Sequence, residues 1–247
     1  MRSIYSENRM NSKTINTIKG LIIAITIIGI WTTSLIFLLT RNLFELHPLM
    51  ISIAVFWQAF LYTGLFITAH DAMHGAVFPA NRKINNAIGT FVVFVYALFS
   101  YQNLLTKHWD HHKYPASPKD PDFHDGIHKN FFQWYFHFIR NYINWKQILG
   151  IAIIFNILLH LFHIPIPNLL LFWVTPSLLS TFQLFYFGTV LPHRETSEGY
   201  KDKHQARSVR LPVLLSFLTC YHFGGFHWEH HAFPNVAWWE LPTTRAK

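Results

Sequence analysis

The amino-acid sequence predicts an all-α integral membrane protein with about four transmembrane helices, a short re-entrant or interfacial segment and a cytoplasmic cap that carries histidines. Only 13% of the 247 residues are charged, whereas soluble domains usually contain about 25%. Several long apolar runs contain no charged side chain, and groups of closely spaced histidines follow some of these runs. The first two observations indicate a membrane protein, and the third indicates where its polar chemistry is concentrated.

Four apolar runs are predicted to cross the bilayer. A helix rises about 1.5 Å per residue, so roughly 20 residues cross a hydrocarbon core about 30 Å thick. Three runs have this length and the third in order is shorter. Pro165 and Pro167 separate the last two runs, and because two prolines so close together cannot continue a helix, a tight turn is predicted there. The predicted spans are residues 20–40, 46–69, 148–164 and 168–191.

A fifth apolar stretch, residues 87–99, has a core of about thirteen residues, a length more typical of an interfacial or re-entrant segment than of a span. Histidines occur on both sides of it in the chain. If the stretch crossed the membrane, those histidines would lie on opposite faces and could not share a site. It is therefore predicted to dip into the bilayer and return, or to lie flat, and to line a groove for an apolar substrate.

The basic residues predict the orientation. With four spans the two termini share one side of the membrane, and of all the lysines and arginines only Arg41 falls on the other side. Basic residues gather on the cytoplasmic side of short-looped membrane proteins, so both termini and the histidines are predicted to be cytoplasmic. The net charge of +8 is explained by this orientation, and a nucleic-acid partner is not expected.

Nine of the seventeen histidines lie in four segments, HDAMH, HWDHH, LPHR and HWEHH. Helical residues at i, i+3 and i+4 share a face, so the histidines of one segment can converge. Neutral imidazole is the commonest protein ligand for metals such as iron and zinc, and even an octahedral ion takes only about six ligands. Two metals with four or five imidazoles each are therefore predicted. The predicted ligands are His70, His74, His108, His111, His112, His193, His227, His230 and His231.

Other polar residues lie within or near these histidine segments. The acids Asp71, Asp110 and Glu229 point away from the histidine faces, and they either accept hydrogen bonds from metal-bound imidazoles or are ordinary solvated charges. His124 is either a metal ligand or a structural residue, and the remaining histidines are interpreted as structural. Cys220 is the only cysteine, so neither an intramolecular disulfide nor a thiolate cluster is expected.

Residues 1–247 are expected to form a single domain without a cleavable signal peptide. An all-nitrogen site beside the membrane fits oxygen activation by two irons, because attack on an unactivated or allylic C–H bond needs an oxidant that side chains do not provide. The spans would admit a lipid substrate. Aromatic residues of the third histidine segment either line its entry or form an interfacial belt. These residues are Phe226, Trp228, Phe233, Trp238 and Trp239.

The three histidine boxes make the chain resemble the membrane fatty-acid desaturase and hydroxylase superfamily. The longer segments HDAMHGAVFP, HWDHHKYPASPKDPDFH and FHWEHHAFPNVAWWELP are more closely similar to the beta-carotene ketolases of bacteria and cyanobacteria. The resemblance covers about residues 47–242. The histidine boxes alone indicate only the superfamily, and the residues that flank the boxes indicate the ketolases.

The resemblance implies an O2-dependent oxygenase that installs a 4-keto group on a β-ionone ring, converting beta-carotene to echinenone and canthaxanthin. Two hydroxylations at one allylic carbon would give a geminal diol that loses water. The nine histidines of the boxes would hold two iron ions, and electrons would come from an external donor such as ferredoxin. The implied partners are thus a carotenoid, beta-carotene or a hydroxylated derivative, together with the lipid bilayer and a ferredoxin-type reductant.

Two alternatives remain. An acyl-lipid desaturase or hydroxylase would use the same boxes, and its products would distinguish it. A non-enzymatic membrane metal transporter would need ionisable residues along its spans, whereas the first two predicted spans contain almost none.

Overall fold

The structure is a computed structural model that describes residues 2–197 and 199–245, with side chains described from Lys13 onwards. The described ranges contain helices and no strand, so the predicted all-α class is confirmed. Short 3-10 turns occur at Leu43–Glu45 and Leu241–Thr243. The helices are α1 (Arg2–Leu39), α2 (Pro48–Met73), α3 (Arg82–Ala97), α4 (Tyr101–Lys113), α5 (Phe131–Tyr142), α6 (Trp145–His160), α7 (Ile166–His193), α8 (Val213–Cys220) and α9 (His227–Ala232).

Three helices are long and apolar enough to cross a membrane, namely Lys13–Leu39 of α1, α2 and α7. They contain the first, second and fourth predicted runs. The third predicted run falls on α6, which has only 16 residues and covers about 24 Å at 1.5 Å per residue. Helix α6 forms a bent pair with α5 at 86°, and α3 forms a second bent pair with α4 at 101°. The described residues therefore provide three spans, or up to five if each bent pair is one span.

The bent pair α3–α4 leaves the end of α2 and returns to it. At its start, Arg82 Nη2 donates a hydrogen bond to the carbonyl oxygen of Met73 at 2.9 Å, and Asn85 Nδ2 donates to that of Ala72 at 2.6 Å. At its end, His108 Nε2 lies 2.6 Å from His74 Nε2. Both ends thus contact the same end of α2, as expected for a segment that returns to the side it left, whether it dips into the bilayer or lies flat.

Uncharged polar side chains join the long helices. Asn168 Nδ2 at the start of α7 donates to the carbonyl oxygens of Leu38 and Arg41 at 3.3 and 2.8 Å, which satisfies backbone acceptors that the end of α1 leaves without a helical partner. Deeper in the bundle, Thr63 Oγ1 of α2 lies 2.7 Å from Gln183 Oε1 of α7, to which it donates. These residues connect helices and are hydrogen-bonded within the bundle, unlike the ionisable path that a transporter would need.

Helix α7 contains two wider, π-helical turns, Leu170–Val174 and Tyr186–Val190. A proline follows shortly after each, Pro176 and Pro192. Proline lacks an N–H group and its ring clashes with the carbonyl four residues earlier, so a wider turn accommodates it without ending the helix. The second wide turn lies immediately before His193 and helps to set the direction in which this side chain leaves the helix.

Candidate metal centre

The nine histidines predicted as ligands converge in two neighbouring groups. Within each group the candidate ligand atoms, one per residue, lie within 4.8 Å of one another. The first group contains His70, His74, His108, His112 and His230, and the second contains His111, His193, His227 and His231. The division into five and four imidazoles matches the prediction of two sites with four or five imidazoles each.

Helix geometry explains why neighbouring histidines enter different groups. On a helix, consecutive side chains are separated by about 100°, whereas residues i and i+4 lie nearly above one another. On α4, His108 and His112 face the first group and His111 faces the second. On α9, His227 and His231 face the second group and His230 faces the first. Each of these boxes therefore contributes to both groups, whereas the sequence interpretation treated each box as a single convergent set.

The remaining three histidines come from the ends of the long helices. His70 and His74 are one turn apart at the end of α2, and their ring centroids are 5.2 Å apart. His193 is the last residue of α7 and contacts α9 through a distance of 2.8 Å between its Nε2 and Nε2 of His227. Four separate parts of the fold thus supply the two groups, and both groups lie at the same end of α2 and α7.

The inner nitrogens of the rings approach one another closely. In the first group His112 Nε2 lies 3.0 Å from His230 Nε2. In the second group His231 Nε2 lies 3.2 Å from His111 Nε2 and 3.1 Å from His227 Nε2. Each group therefore presents a cluster of ring nitrogens to a common centre.

Acceptors on the outer side of the rings indicate which inner nitrogens carry lone pairs. His111 Nδ1 lies 3.0 Å from both carboxylate oxygens of Asp120, and His193 Nδ1 lies 2.8 Å from the carbonyl oxygen of Gln205. A carbonyl or an ionised carboxylate can only accept, so in the neutral rings the proton is assigned to Nδ1 and the lone pair to Nε2. In these tautomers both Nε2 lone pairs point into the second group, an arrangement that suits a bound cation. Burial opposes a charge on His111, but the carboxylate of Asp120 raises the pKa of this ring to about 9, so without a cation its Nε2 also carries a proton.

Burial keeps four of the imidazoles neutral. The pKa lies well below its ordinary value in His74, His227, His230 and His231. Burial is the largest cause in each ring, and neighbouring imidazoles lower the pKa further. A charged imidazole would lose its hydration in this environment without an equivalent replacement. The rings are therefore in the neutral form that can donate a lone pair to a metal at ordinary pH.

The three acids inside the boxes have different roles. Asp71 is buried; its Oδ1 lies 3.4 Å from His70 Nδ1 and its Oδ2 accepts a hydrogen bond from the backbone N–H of Trp238 at 2.9 Å. Glu229 accepts from Arg245 Nε at 2.7 Å and from Ser208 instead of from a histidine. Asp110 is half-buried, and within the described part of the chain it has no hydrogen bond to a histidine. Only Asp71 has the contact that the sequence suggested.

His124 has a structural role. Its Nδ1 accepts a hydrogen bond from the backbone N–H of Gly126 at 3.2 Å, and its ring packs against Phe123 and Trp134 with centroid distances of 4.0 and 4.9 Å. It belongs to neither histidine group.

Sequence reasoning missed two outer partners. No role in the site was predicted for Asp120 or for Gln205, whose contribution is a backbone carbonyl. The segment PKDPDFH gave one usable signal, because an acid held between prolines shortly after a histidine box is a candidate acceptor for those histidines. No residue type could have identified Gln205, since every residue has a carbonyl group.

An apolar cavity lies against both histidine groups. Its wall includes His70, His108 and His230 of the first group and His111 and His227 of the second. Most of the other lining residues are apolar or aromatic and come from α2, α4, α5, α7 and α8 and the segments beside them. They include Phe66, Tyr96, Phe99, Leu104, Phe138, Ile139, Leu184 and Phe223. Tyr96 and Phe99 belong to the re-entrant segment or its end, as predicted for a groove that accepts an apolar molecule.

The aromatic residues of the third box do not line this cavity. The backbone of Trp238 is hydrogen-bonded to Asp71 and its ring stacks on Phe217 with a centroid distance of 5.6 Å. Phe226 is buried beneath the guanidinium group of Arg245, 4.1 Å from the ring centroid. These two rings therefore pack against other parts of the fold, and the aromatic residues that line the cavity lie elsewhere in the chain.

Comparison with known proteins supports a common origin. The sequence profile of the fatty acid desaturase family matches residues 44–147 and 131–247. The chain is 41% identical over 204 residues to a beta-carotene ketolase from Paracoccus sp. (strain N81106), with 81% of each chain covered. It is 39% identical over 203 residues to the beta-carotene ketolase of Paracoccus sp. (strain PC1), again with 81% of each chain covered.

A longer relative gives a similar match. The chain is 41% identical over 241 residues to the zeaxanthin 4-ketolase of Chlamydomonas reinhardtii, and the match covers 92% of this chain and 53% of that protein. All nine histidines of the two groups lie within the region that the family profile matches.

Proposed function

Because this chain belongs to the fatty acid desaturase family and, within it, to the beta-carotene ketolases, we propose that it is an O2-dependent, two-iron carotenoid 4-ketolase. Its substrate is beta-carotene, which it converts through echinenone to canthaxanthin. The observation that carries this proposal is the pair of histidine groups, five and four imidazoles, at the wall of one apolar cavity.

The ligand set fits the metal. Nine imidazoles and no thiolate suit iron, and neither group has enough ligands to exceed the coordination number of one ion. Two bound irons would supply the oxidising power to hydroxylate an allylic C–H bond with O2, which no side chain here provides. His111 and His193 are held by Asp120 and Gln205, so their Nε2 atoms are directed at the second site before a metal arrives.

The cavity would hold and orient the substrate. A β-ionone ring is apolar, and the aromatic and aliphatic walls would bind it by removing its surface from water. Histidines of both groups form part of the cavity wall. A β-ionone ring bound in the cavity would therefore present a carbon at its edge to both histidine groups. Exclusion of water also protects the reacting carbon from competing solvent.

Two hydroxylations at the same carbon give a geminal diol, and loss of one water gives the ketone. Each hydroxylation consumes one O2, two electrons and two protons and releases one water. The electrons come from an external donor of the ferredoxin type. The histidine groups and both termini lie on the cytoplasmic side, which follows from the distribution of basic residues along the chain.

Expression in cells that accumulate beta-carotene tests the proposal. Pigment analysis is expected to show echinenone and canthaxanthin, and no ketone is expected for His111→Ala, which removes one ligand of the second group. His124→Ala is the matched control, because His124 is buried and hydrogen-bonded but outside both groups. Unchanged carotene together with altered acyl chains would show instead that the chain is an acyl-lipid desaturase or hydroxylase.

A further inference from the structure

Trp109 is the exposed residue most directly connected to the histidine groups. It lies on α4 inside the second box, and 43% of its surface is exposed. Its ring centroid is 5.1 Å from that of His74 and 5.8 Å from that of His112. Both histidines belong to the first group, so a single aromatic side chain connects the protein surface to two of its rings.

The position of Trp109 is unusual for so large an apolar side chain. Other exposed tryptophans, such as Trp145, have apolar surroundings or a lysine beside them but no ring contact with a histidine of either group. The second group is fully buried, whereas His108 and His112 of the first are half-buried. The first group is therefore the more exposed of the two, and Trp109 is an exposed ring in contact with two of its histidines.

Exposed cations lie on the segments next to this tryptophan. Lys113 lies one helical turn after Trp109 on the same face of α4. Lys113 and Lys119 both lie over the ring of Tyr114, 4.9 and 5.2 Å from its centroid. The exposed side chain of Arg82 donates a hydrogen bond to the carbonyl oxygen of Met73, the residue before His74. Asp110, half-buried on the next position of the helix, is the acid nearest in sequence.

We propose that Trp109 and the exposed cations Arg82, Lys113 and Lys119, together named the Trp109 face, are the docking surface for an acidic one-electron carrier protein. The inference rests on the proposed function, because it concerns the delivery of the electrons that the hydroxylations consume. Opposite charge would raise the rate of encounter. Trp109 would then be the contact between the carrier and the rings of His74 and His112.

The stoichiometry requires repeated docking. Each inserted oxygen atom needs two electrons, and a one-electron carrier delivers them in two encounters, so one ketone requires four. In each encounter the carrier loses one electron and the metal centre gains one. A face that binds by charge and releases quickly suits this cycle better than a permanent apolar interface, because electrostatic contacts raise the association rate without requiring a large buried area.

The test follows the oxidation of a reduced plant-type [2Fe–2S] ferredoxin by the iron-loaded chain, without O2 or carotene, in stopped-flow absorbance measurements. At low salt, the double variant Lys113→Glu/Lys119→Glu is expected to oxidise ferredoxin with a second-order rate constant at least tenfold lower than the wild type. At about 1 M salt the two rate constants should become equal, because charges are then screened beyond about 3 Å. For Trp109→Leu we expect a lower rate at saturating ferredoxin. Trp145→Leu and Lys146→Glu, which alter an exposed tryptophan–lysine pair elsewhere, should behave as the wild type.

A binding measurement separates docking from chemistry. Oxidised ferredoxin should bind the zinc-loaded wild-type chain more tightly than the zinc-loaded Lys113→Glu/Lys119→Glu chain. Equal affinities and equal rates for these variants and their controls would overturn the docking proposal, and would fit a face that contacts lipid headgroups instead. If neither ferredoxin nor dithionite reduces the iron-loaded wild type, the proposed function itself fails.

Discussion

At the scale of single residues, Asp120 connects His111 to the loop that follows α4. Its carboxylate accepts hydrogen bonds from His111 Nδ1 and from the backbone N–H groups of Ala116 and Asp122, at 3.0, 2.8 and 2.9 Å. The loop therefore fixes the carboxylate, and the carboxylate fixes both the direction of the imidazole and the nitrogen that carries its proton. Asp120 is a positioning residue, since it acts on the site only through His111.

Replacement of Asp120 by alanine is expected to weaken metal binding by about 10- to 100-fold, the usual effect of losing such an outer partner. Metal content per chain, measured by mass spectrometry after dialysis against graded chelator, tests this expectation. The control is Asp125→Ala in the same loop, because Asp125 bonds to His128 and to backbone N–H groups and contacts neither histidine group. Full metal content in Asp120→Ala would show that His111 needs no such support.

At the scale of helices, one turn of α4 serves two sites. His111 and His112 are consecutive, yet the first belongs to the group of four and the second to the group of five. The angle of about 100° between consecutive side chains is a property of every α-helix. A pair of adjacent histidines therefore contributes to two neighbouring groups. The two groups are so close that the rings of His112 and His231, one from each group, stack with their centroids 4.3 Å apart.

This geometry predicts unequal effects of two neighbouring substitutions. His112→Ala leaves four imidazoles in the first group, as many as the second has in the wild type, whereas His111→Ala leaves only three in the second. We expect His111→Ala to lose about one metal ion per chain and His112→Ala to lose clearly less, measured as metal content of the purified chains. Equal losses would mean that the two groups do not bind their metals separately.

At the scale of the whole molecule, the histidine groups and the turn between α1 and α2 lie at opposite ends of α2. The exposed residue Phe44 belongs to that turn, and the exposed residue Lys203 belongs to the connection between α7 and α8, beside Asp202, which accepts a hydrogen bond from Trp228 of α9. If α2 crosses the bilayer, these two positions are on different sides of it.

Cysteine labelling tests this orientation in intact cells. Phe44→Cys is expected to react with a membrane-impermeant maleimide added outside, and Lys203→Cys only after the cells are opened. The wild type is the internal control, because its single cysteine, Cys220, is completely buried and should react under neither condition. Labelling of Lys203→Cys from outside would reverse the predicted orientation.

The sequence by itself determined the helical class, the apolar runs and the nine histidines that meet, because these depend on local composition and on the helical repeat. It also indicated the return of residues 87–99, since histidines on its two flanks had to reach one site. Only the tertiary structure decided which histidines share a group, that Asp120 and Gln205 support them, and that Trp109 connects them to the surface. These features depend on how separate helices and loops pack against one another, and that packing is set by contacts between residues far apart in the chain.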